Sequence, residues 1–427
     1  MTERLAIIDG VRTPMGKAGG SLCQISADDL GAFALRELMY RLPFGYNDID
    51  EVIMGNVAMP ANAANIARVC ALKAGFPYST PAYTVHRNCA SGMEAISSAA
   101  NKILSGKASI IVAGGTESMS NIPLLFGKKM TRFFSDLQKA KTRLQKIAIL
   151  RTFRPRFLSP VVGIMEGLTD PICGLIMGLT AENLAKEFYI GRTEQDQYAL
   201  ASHQKACAAI KKGLFEDEIS PIPIPNSSIQ VQDESPRENQ TLASLQKLSP
   251  YFDRKNGTVT VGNACPLTDG AGAIAVMTES KAKEMGITPL GFIREYAYAG
   301  LEPSRMGLGP VYATAKLLHH TGLTLKDIHR IEINEAFSVQ VLACLHAYRS
   351  SQFAQTYLGQ SRALGEIDPS IVNVNGGAVA LGHPVGMTGL RLVLTLAKEL
   401  RRSGKEKGLA TLCIGGGQGA AFLVEAI

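Results

Sequence analysis

Short apolar runs that end in glycine or polar turns recur along the chain: LAIIDG (5–10), EVIMGNV (51–57), SIIVAGG (109–115), AIAVM (273–277), RIEINEA (330–336), SIVNVNGG (370–377), LATLCIGGG (409–417) and AAFLVEAI (420–427). They are continuous rather than alternating, which is the pattern of strands buried on both faces of a sheet. Residues 28–40, 91–104, 312–320 and 389–402 show helical spacing between several of these runs. The pattern therefore predicts an α/β protein whose helices cover its sheets. No uncharged apolar stretch reaches the roughly 18 residues of a bilayer-spanning helix. The nearest, 160–181, is interrupted by Glu166 and Asp170.

The pattern also repeats. Asp48-Ile-Asp-Glu-Val-Ile resembles Asp327-Ile-His-Arg-Ile-Glu, Cys89-x-x-Gly-Met-x-x-Ile resembles His383-x-x-Gly-Met-x-x-Leu, and Val112-Ala-Gly-Gly resembles Cys413-Ile-Gly-Gly. Three matches in one order predict two similar halves. The first spans 1–120 plus 251–278, and the second 279–427. Residues 121–250 have no counterpart and read as an inserted loop domain, with a Pro-rich stretch (220–228) and a polar run (230–240).

Composition narrows the class. A chain of 427 residues with 46% hydrophobic and 19% charged residues forms a large core and excludes global disorder. Residues 127–156 hold ten Lys/Arg and one acid, Asp136, so this segment carries +9 against a chain total of +7. Its apolar residues Phe133, Leu137, Leu144, Ile147 and Leu150 keep a helical spacing broken at Lys141. Such an element lies on an anionic lipid surface or in a partner's groove; the plainer alternative is a solvated helix over the site. No nucleic-acid motif accompanies the charge. The eight cysteines include no CxxC pair, which argues against a zinc site or disulfide framework and for a reducing compartment. MTERLAIIDG lacks the features of a signal peptide, so a cytoplasmic protein is expected.

The repeat juxtaposes candidate chemistry. Cys89 and His383 each follow a strand-like run and open a helix-like one, and pseudo-twofold packing would bring those helix starts together. A helix N-terminus favours a thiolate, and a nearby imidazole can take the thiol proton. Cys413 ends a strand and opens CIGGGQG, where glycines let backbone N–H groups face a ligand. Asn334 lies at a strand end, where polar side chains line clefts. Against this stand bland readings: Cys23, Cys70, Cys173, Cys207 and Cys344 are inert core residues, and GGG is turn chemistry.

RTPMGKAGG (12–20), NCASGMEAI (88–96), MGLTAENLA (177–185), NEAF (334–337), NVNGGAVALGHPVGMTG (373–389) and CIGGGQGAA (413–421) resemble, in order and along nearly the whole chain, the motifs of the thiolase family. The resemblance implies an α/β thiolase fold: two βαβαβαββ halves in five layers (αβαβα), an inserted loop domain and a homodimeric core. It implies CoA-dependent cleavage of 3-oxoacyl-CoA, with CoA as co-substrate and no bound cofactor or metal. Cys89 would be the acyl-accepting nucleophile, His383 its base and an oxyanion donor, and Cys413 the second acid/base. Asn334 would hold an oxyanion-hole water, and Gly415 would supply a backbone N–H. Met177, Cys265 and Arg237 match CoA- or substrate-contacting positions. The chain departs from the family at Cys265, where serine is common, and at Ile176, where histidine is common. The basic insertion and 253–273 look most like the thiolase subunit of bacterial fatty-acid-oxidation trifunctional complexes. That implies a partner with hydratase and 3-hydroxyacyl-CoA dehydrogenase activities, and membrane contact through 127–156. The alternatives are a biosynthetic acetoacetyl-CoA-forming enzyme and a non-catalytic scaffold on the same fold. A decarboxylating ketoacyl synthase fits less well, since it would have two active-site histidines and no second cysteine, whereas this chain has Asn334 and Cys413.

Overall fold

Most of the continuous apolar runs become strands. The computed structural model describes residues 3–225 and 227–427. The first part runs β1 (Leu5–Arg12), α1 (Ala27–Arg41), β2 (Glu51–Gly55), α2 (Ile66–Ala74), β3 (Ala82–Val85), α3 (Ser91–Leu104) and β4 (Ile110–Ser118). Four longer helices follow: α4 (Lys128–Lys139), α5 (Arg143–Leu150), α6 (Met177–Glu187) and α7 (Arg192–Lys211). The chain then returns to the sheet as β5 (Thr268–Thr278). It continues through β6 (Gly291–Gly300), α8 (Gly309–Thr321), β7 (Arg330–Ile333), α9 (Ser338–Arg349), α10 (Val385–Ser403), β8 (Lys407–Ile414) and β9 (Gln418–Glu425).

Strand order is β3-β2-β4-β5-β1-β6-β9-β8-β7. The two parts of the sheet follow one plan, each with a parallel pair (β2–β4, β7–β8) and an antiparallel pair (β4–β5, β8–β9). They join where Leu5, Ala6 and Ile7 pair with Ile293, Phe292 and Gly291. Three buried clusters alternate with the sheet halves. One lies under α1 and α2, one lies between the halves around α3 and α10, and one lies under α8 and α9. This is the five-layered αβαβα arrangement. Residues 386–400 of α10 are buried throughout, so this helix is the middle layer. Its start packs on α3 without room for side chains: a Cβ on Gly92 would stand 2.6 Å from Leu390 N, and one on Gly389 would stand 2.7 Å from Met93 N.

Two expectations change. The run 370–377 is no strand; it keeps a single bridge, Ile331–Val372. Pro369 opens a 3-10 turn there, and Asn373 (φ 43°) and Gly376 (φ 82°) leave extended space. Conversely β6, GFIREYAYAG, is a full strand between β1 and β9. Its mixed polarity hid it, because its middle is only partly buried.

The segment between β4 and β5 is clipped to the sheet by Arg12 at the end of β1. This buried guanidinium pairs with Glu218 and Asp233, both at 2.7 Å. The basic stretch forms two helices, α4 and α5, with the break at Lys141 between them. Phe133 is buried among Phe134, Phe153 and Phe157, but Leu144, Ile147 and Leu150 of α5 are exposed.

Candidate active site

Cys89 sits in a tight turn that leads into α3. Ala90 and Ser91 donate backbone bonds to the Arg87 and Asn88 carbonyls at 3.0 Å, and the Ser91 hydroxyl also donates to Asn88 O at 2.7 Å. Asn88 takes the left-handed φ of 43° that this turn needs. Its Nδ2 donates to Gly415 O at 2.7 Å, fastening the α3 start to the CIGGGQG loop after β8. Gly415 thus lies beside Cys89, and its backbone N–H favours the thiolate. The thiol is half-buried, and burial raises it above its ordinary value; the Gly415 N–H offsets part of that rise.

His383 enters from the other half. Gly382 (φ 110°) turns the chain against Thr268, where a Cβ would meet Oγ1 at 2.5 Å. Thr268 Oγ1 accepts the His383 N–H at 3.0 Å. The ring is buried, and burial followed by the Arg391 charge pushes it down to about 3, so the imidazole is neutral. Its tautomer follows from its partners. The Thr388 hydroxyl donates to Pro384 O (2.9 Å), so at 2.6 Å it must accept from His383 Nδ1–H. Nε2 therefore holds the acceptor lone pair and accepts a long bond from Asn334 Nδ2 at 3.4 Å.

Asn334 follows β7 directly and is fully buried. Asn373 holds the residues on either side of it, accepting from Ile333 N and donating to Ile333 O, both at 2.9 Å, and donating to the Glu335 side-chain Oε1 at 2.7 Å. Glu335 also accepts from Tyr198 (3.0 Å), Ser202 (2.6 Å) and Val379 N (3.1 Å), tying α7 to this turn. Asn334 Oδ1 has no protein partner among the described residues. Cys413, on the last turn-ward residues of β8, is buried and lies in the charge field of Cys89 and Cys265, and burial holds it well above an ordinary thiol. Cys265 is pushed up to about 12, first by burial and then by the neighbouring Cys89. Met177, first in α6, closes over Gly415: a Cβ there would touch Met177 Sδ at 3.5 Å and Asn88 Nδ2 at 3.8 Å.

Cys89, Cys413, Cys265, Gly415 and Met177 thus share one neighbourhood, and Asn334 joins His383. Arg237 is exposed, and its hydrogen bond is from its backbone N–H to His203 Nδ1 at 3.2 Å. No described contact brings it to the thiols. The sequence reading assigned no role to Asn88, Thr388, Glu335 or Asn373, although all four lie inside the motifs it singled out. Their signal was position within a motif; their partners are visible only in three dimensions.

A thiol under a backbone N–H, a neutral imidazole with a free acceptor nitrogen and a second buried thiol define a thiol-nucleophile acyl-transfer site. The Thiolase, N-terminal domain family matches residues 5–280, and the Thiolase, C-terminal domain family matches residues 287–426. The chain belongs to the thiolase family. It is 41% identical over 425 residues to the 3-ketoacyl-CoA thiolase of Yersinia enterocolitica, covering 99% of this chain and 97% of that protein. The structure of Bacillus anthracis acetyl-CoA acetyltransferase superposes with a TM-score of 0.87 at 39% identity, covering 100% of this chain and 99% of that one. Human mitochondrial 3-ketoacyl-CoA thiolase in complex with CoA gives a TM-score of 0.85 at 36% identity, with 100% and 98% coverage.

Proposed function

We propose that this protein catalyses the CoA-dependent cleavage of a 3-oxoacyl-CoA into acetyl-CoA and an acyl-CoA shorter by two carbons, the last step of a fatty-acid β-oxidation round. The observation that supports the reading is the packing of the two helix starts, Gly92 against Leu390 and Gly389 against Met93, with Asn88 fastened to Gly415 next to Cys89 and His383 Nε2 beside Asn334.

The thiol and imidazole both begin neutral, so the Cys89 proton moves to His383 Nε2 as sulfur attacks the 3-oxo carbon. The N–H groups of Cys89 and Gly415 hold the resulting oxyanion. Collapse of this tetrahedral species breaks the C2–C3 bond and leaves acyl-Cys89 and the enolate of acetyl-CoA. His383 and a water on Asn334 hold the enolate oxygen; a buried amide oxygen without a protein partner suits that water. Donors set in advance in this way are worth about 3–4 kcal/mol each. Cys413 gives its proton to the enolate carbon, then takes the proton of the incoming CoA thiol; the CoA thiolate attacks acyl-Cys89, the Cys89 thiolate leaves as the acyl group passes to CoA, and it recovers its proton from His383. Burial suits Cys413 to both steps, because a thiol held protonated is an acid until a strong base appears.

Incubation with a 3-oxoacyl-CoA and no free CoA should leave an acyl adduct on Cys89, located by mass spectrometry. An active protein with no such adduct, or one that persists in Cys89→Ala, would overturn the mechanism. The likeness to an acetyl-CoA acetyltransferase supports the biosynthetic direction as a second reading, and turnover confined to C4 rather than C16 substrates would favour it. Met177 and Cys265 adjoin the site and would meet substrate or pantetheine; Arg237 would meet the nucleotide end of CoA.

We also assign a homodimeric, cytoplasmic state, in keeping with eight unpaired cysteines. Residues 127–156 would dock on an anionic membrane and beside a hydratase/3-hydroxyacyl-CoA dehydrogenase partner. The exposed Leu144, Ile147 and Leu150 among Arg143, Lys146 and Arg151 support this. The full chain should sediment with phosphatidylglycerol vesicles and co-purify with that partner, and deleting 127–156 should abolish both. A lone dimer indifferent to the deletion would sink the assignment.

A further inference from the structure

Taking Cys89 as nucleophile and His383 as base, we infer that Glu117 is a positioning residue for the reaction: a buried anion that ties the first turn of α10 to the turn after β2 and balances the proton passed to His383. Glu117 lies near the end of β4 and is 1% exposed. Its Oε1 accepts from Asn56 Nδ2 at 3.1 Å and Ala58 N at 3.0 Å. Its Oε2 accepts from Val57 N at 3.1 Å and Gly386 N at 2.9 Å. Burial pushes the acid up to about 7, while all four partners are N–H donors, which favour the carboxylate, so Glu117 carries its full charge only above that pH. No ion pair offsets its charge among the described residues, and the facing acid, Asp269 on β5, opposes it. A charge buried at such cost, without a cation, needs a purpose that a neutral side chain would not serve.

Gly386 supplies that purpose. It stands three residues after His383, and its N–H belongs to the open positive end of α10. A Cβ on Gly386 would stand 2.7 Å from Thr116 O and 3.0 Å from Glu117 Oε2, so the turn is held hard against β4. An imidazolium formed just ahead of α10 meets the unfavourable end of the helix dipole. The Arg391 charge adds to that disfavour, and Glu117, bonded at the same helix end, is the negative group that offsets it. Its reach extends to Cys89, whose thiol it helps to hold protonated until attack. The titratable groups around Cys89 are then Glu117 from β4, Cys413 from β8, Cys265 from the segment before β5, and His383 ahead of α10. Removing one negative charge makes each neighbour release its proton more easily.

The test uses the full chain carrying Glu117→Gln or Glu117→Asp. The rate of Cys89 alkylation by iodoacetamide is followed against pH, beside kcat and KM. Glu117→Gln should lower the alkylation midpoint by about 0.5–1 pH unit and lower kcat about three- to thirtyfold with KM little changed. Glu117→Asp, which keeps the charge, should keep the midpoint. Should the Gln variant not fold, Glu117→Ser, with room for water at the four N–H groups, is read the same way. A folded neutral variant with an unmoved midpoint overturns the inference. So does a set in which only the Asp variant folds, since the charge would then serve stability alone. Failure of the reading beneath it looks different: the unaltered protein would form no acyl adduct on Cys89.

Discussion

The starts of α3 and α10 are built alike and do opposite work. Each follows a sharp turn, each carries its reactive residue just ahead of the helix, and each has a glycine three residues later where a Cβ does not fit: Gly92 against Leu390, Gly386 against Thr116 O. Neither helix has a capping side chain of its own at the N-cap residue. The difference lies in what meets the exposed N–H groups and the reactive side chain. At α3 the half-buried thiol faces a further donor, the Gly415 N–H, which favours negative charge on sulfur. At α10 the imidazole is buried and held neutral by burial and the Arg391 charge, Thr388 fixes its Nδ1–H, and the Glu117 carboxylate takes the Gly386 N–H, which offsets part of that disfavour when the ring accepts a proton. One backbone device, used twice, thus yields a nucleophile and a base because the surroundings of the two helix ends carry opposite electrostatics.

The severest way to break that comparison is to remove the base. His383→Ala should lower kcat roughly 10²–10⁴-fold, the usual worth of a positioned general base. The variant should still fold, and Cys89 should still be alkylated, because the thiol turn depends on Asn88, Ser91 and Gly415 rather than on the ring. Steady-state kinetics with alkylation read by mass spectrometry checks both parts. Near-full turnover would mean that the α10 start holds no base, and the asymmetry would vanish.

Much of this arrangement was legible in the sequence. Continuous apolar runs marked the buried strands, and the Cys-x-x-Gly-Met and His-x-x-Gly-Met repeat marked the paired helix starts, because both signals are local. The structure adds what local signals cannot carry. Glu117 reads as an acid at the end of an apolar run, and only the fold puts it on Gly386, 269 positions away. Run 370–377 read as a strand because its apolar residues are real; the φ values of Asn373 and Gly376 are not written in hydropathy. The central residues of β6 are half-exposed, so that strand lacked the pattern used to find the others. The exposed apolar side of α5 was visible as spacing, but not that it would lie open while Phe133 on α4 was covered.

A finer change sharpens the comparison. Thr388 distinguishes the α10 start from α3 only by choosing which ring nitrogen carries the proton. Thr388→Val keeps the shape and removes the oxygen, leaving a buried Nδ1–H without its 2.6 Å acceptor. An unpaired buried donor costs enough to change the tautomer, and with the proton on Nε2 the ring cannot accept from Cys89. We expect kcat to fall about 10- to 100-fold with KM nearly unchanged, and Thr388→Ser to restore most of the loss. The sign of the pH dependence follows from burial, which holds the ring down at about 3. It binds no proton between about pH 6 and pH 8, so the loss should be flat across that range. A loss that deepens as pH falls toward 6 would show a ring already charged before substrate arrives. The base at α10 would then depend on bulk protonation instead of on the hydroxyl that orients it.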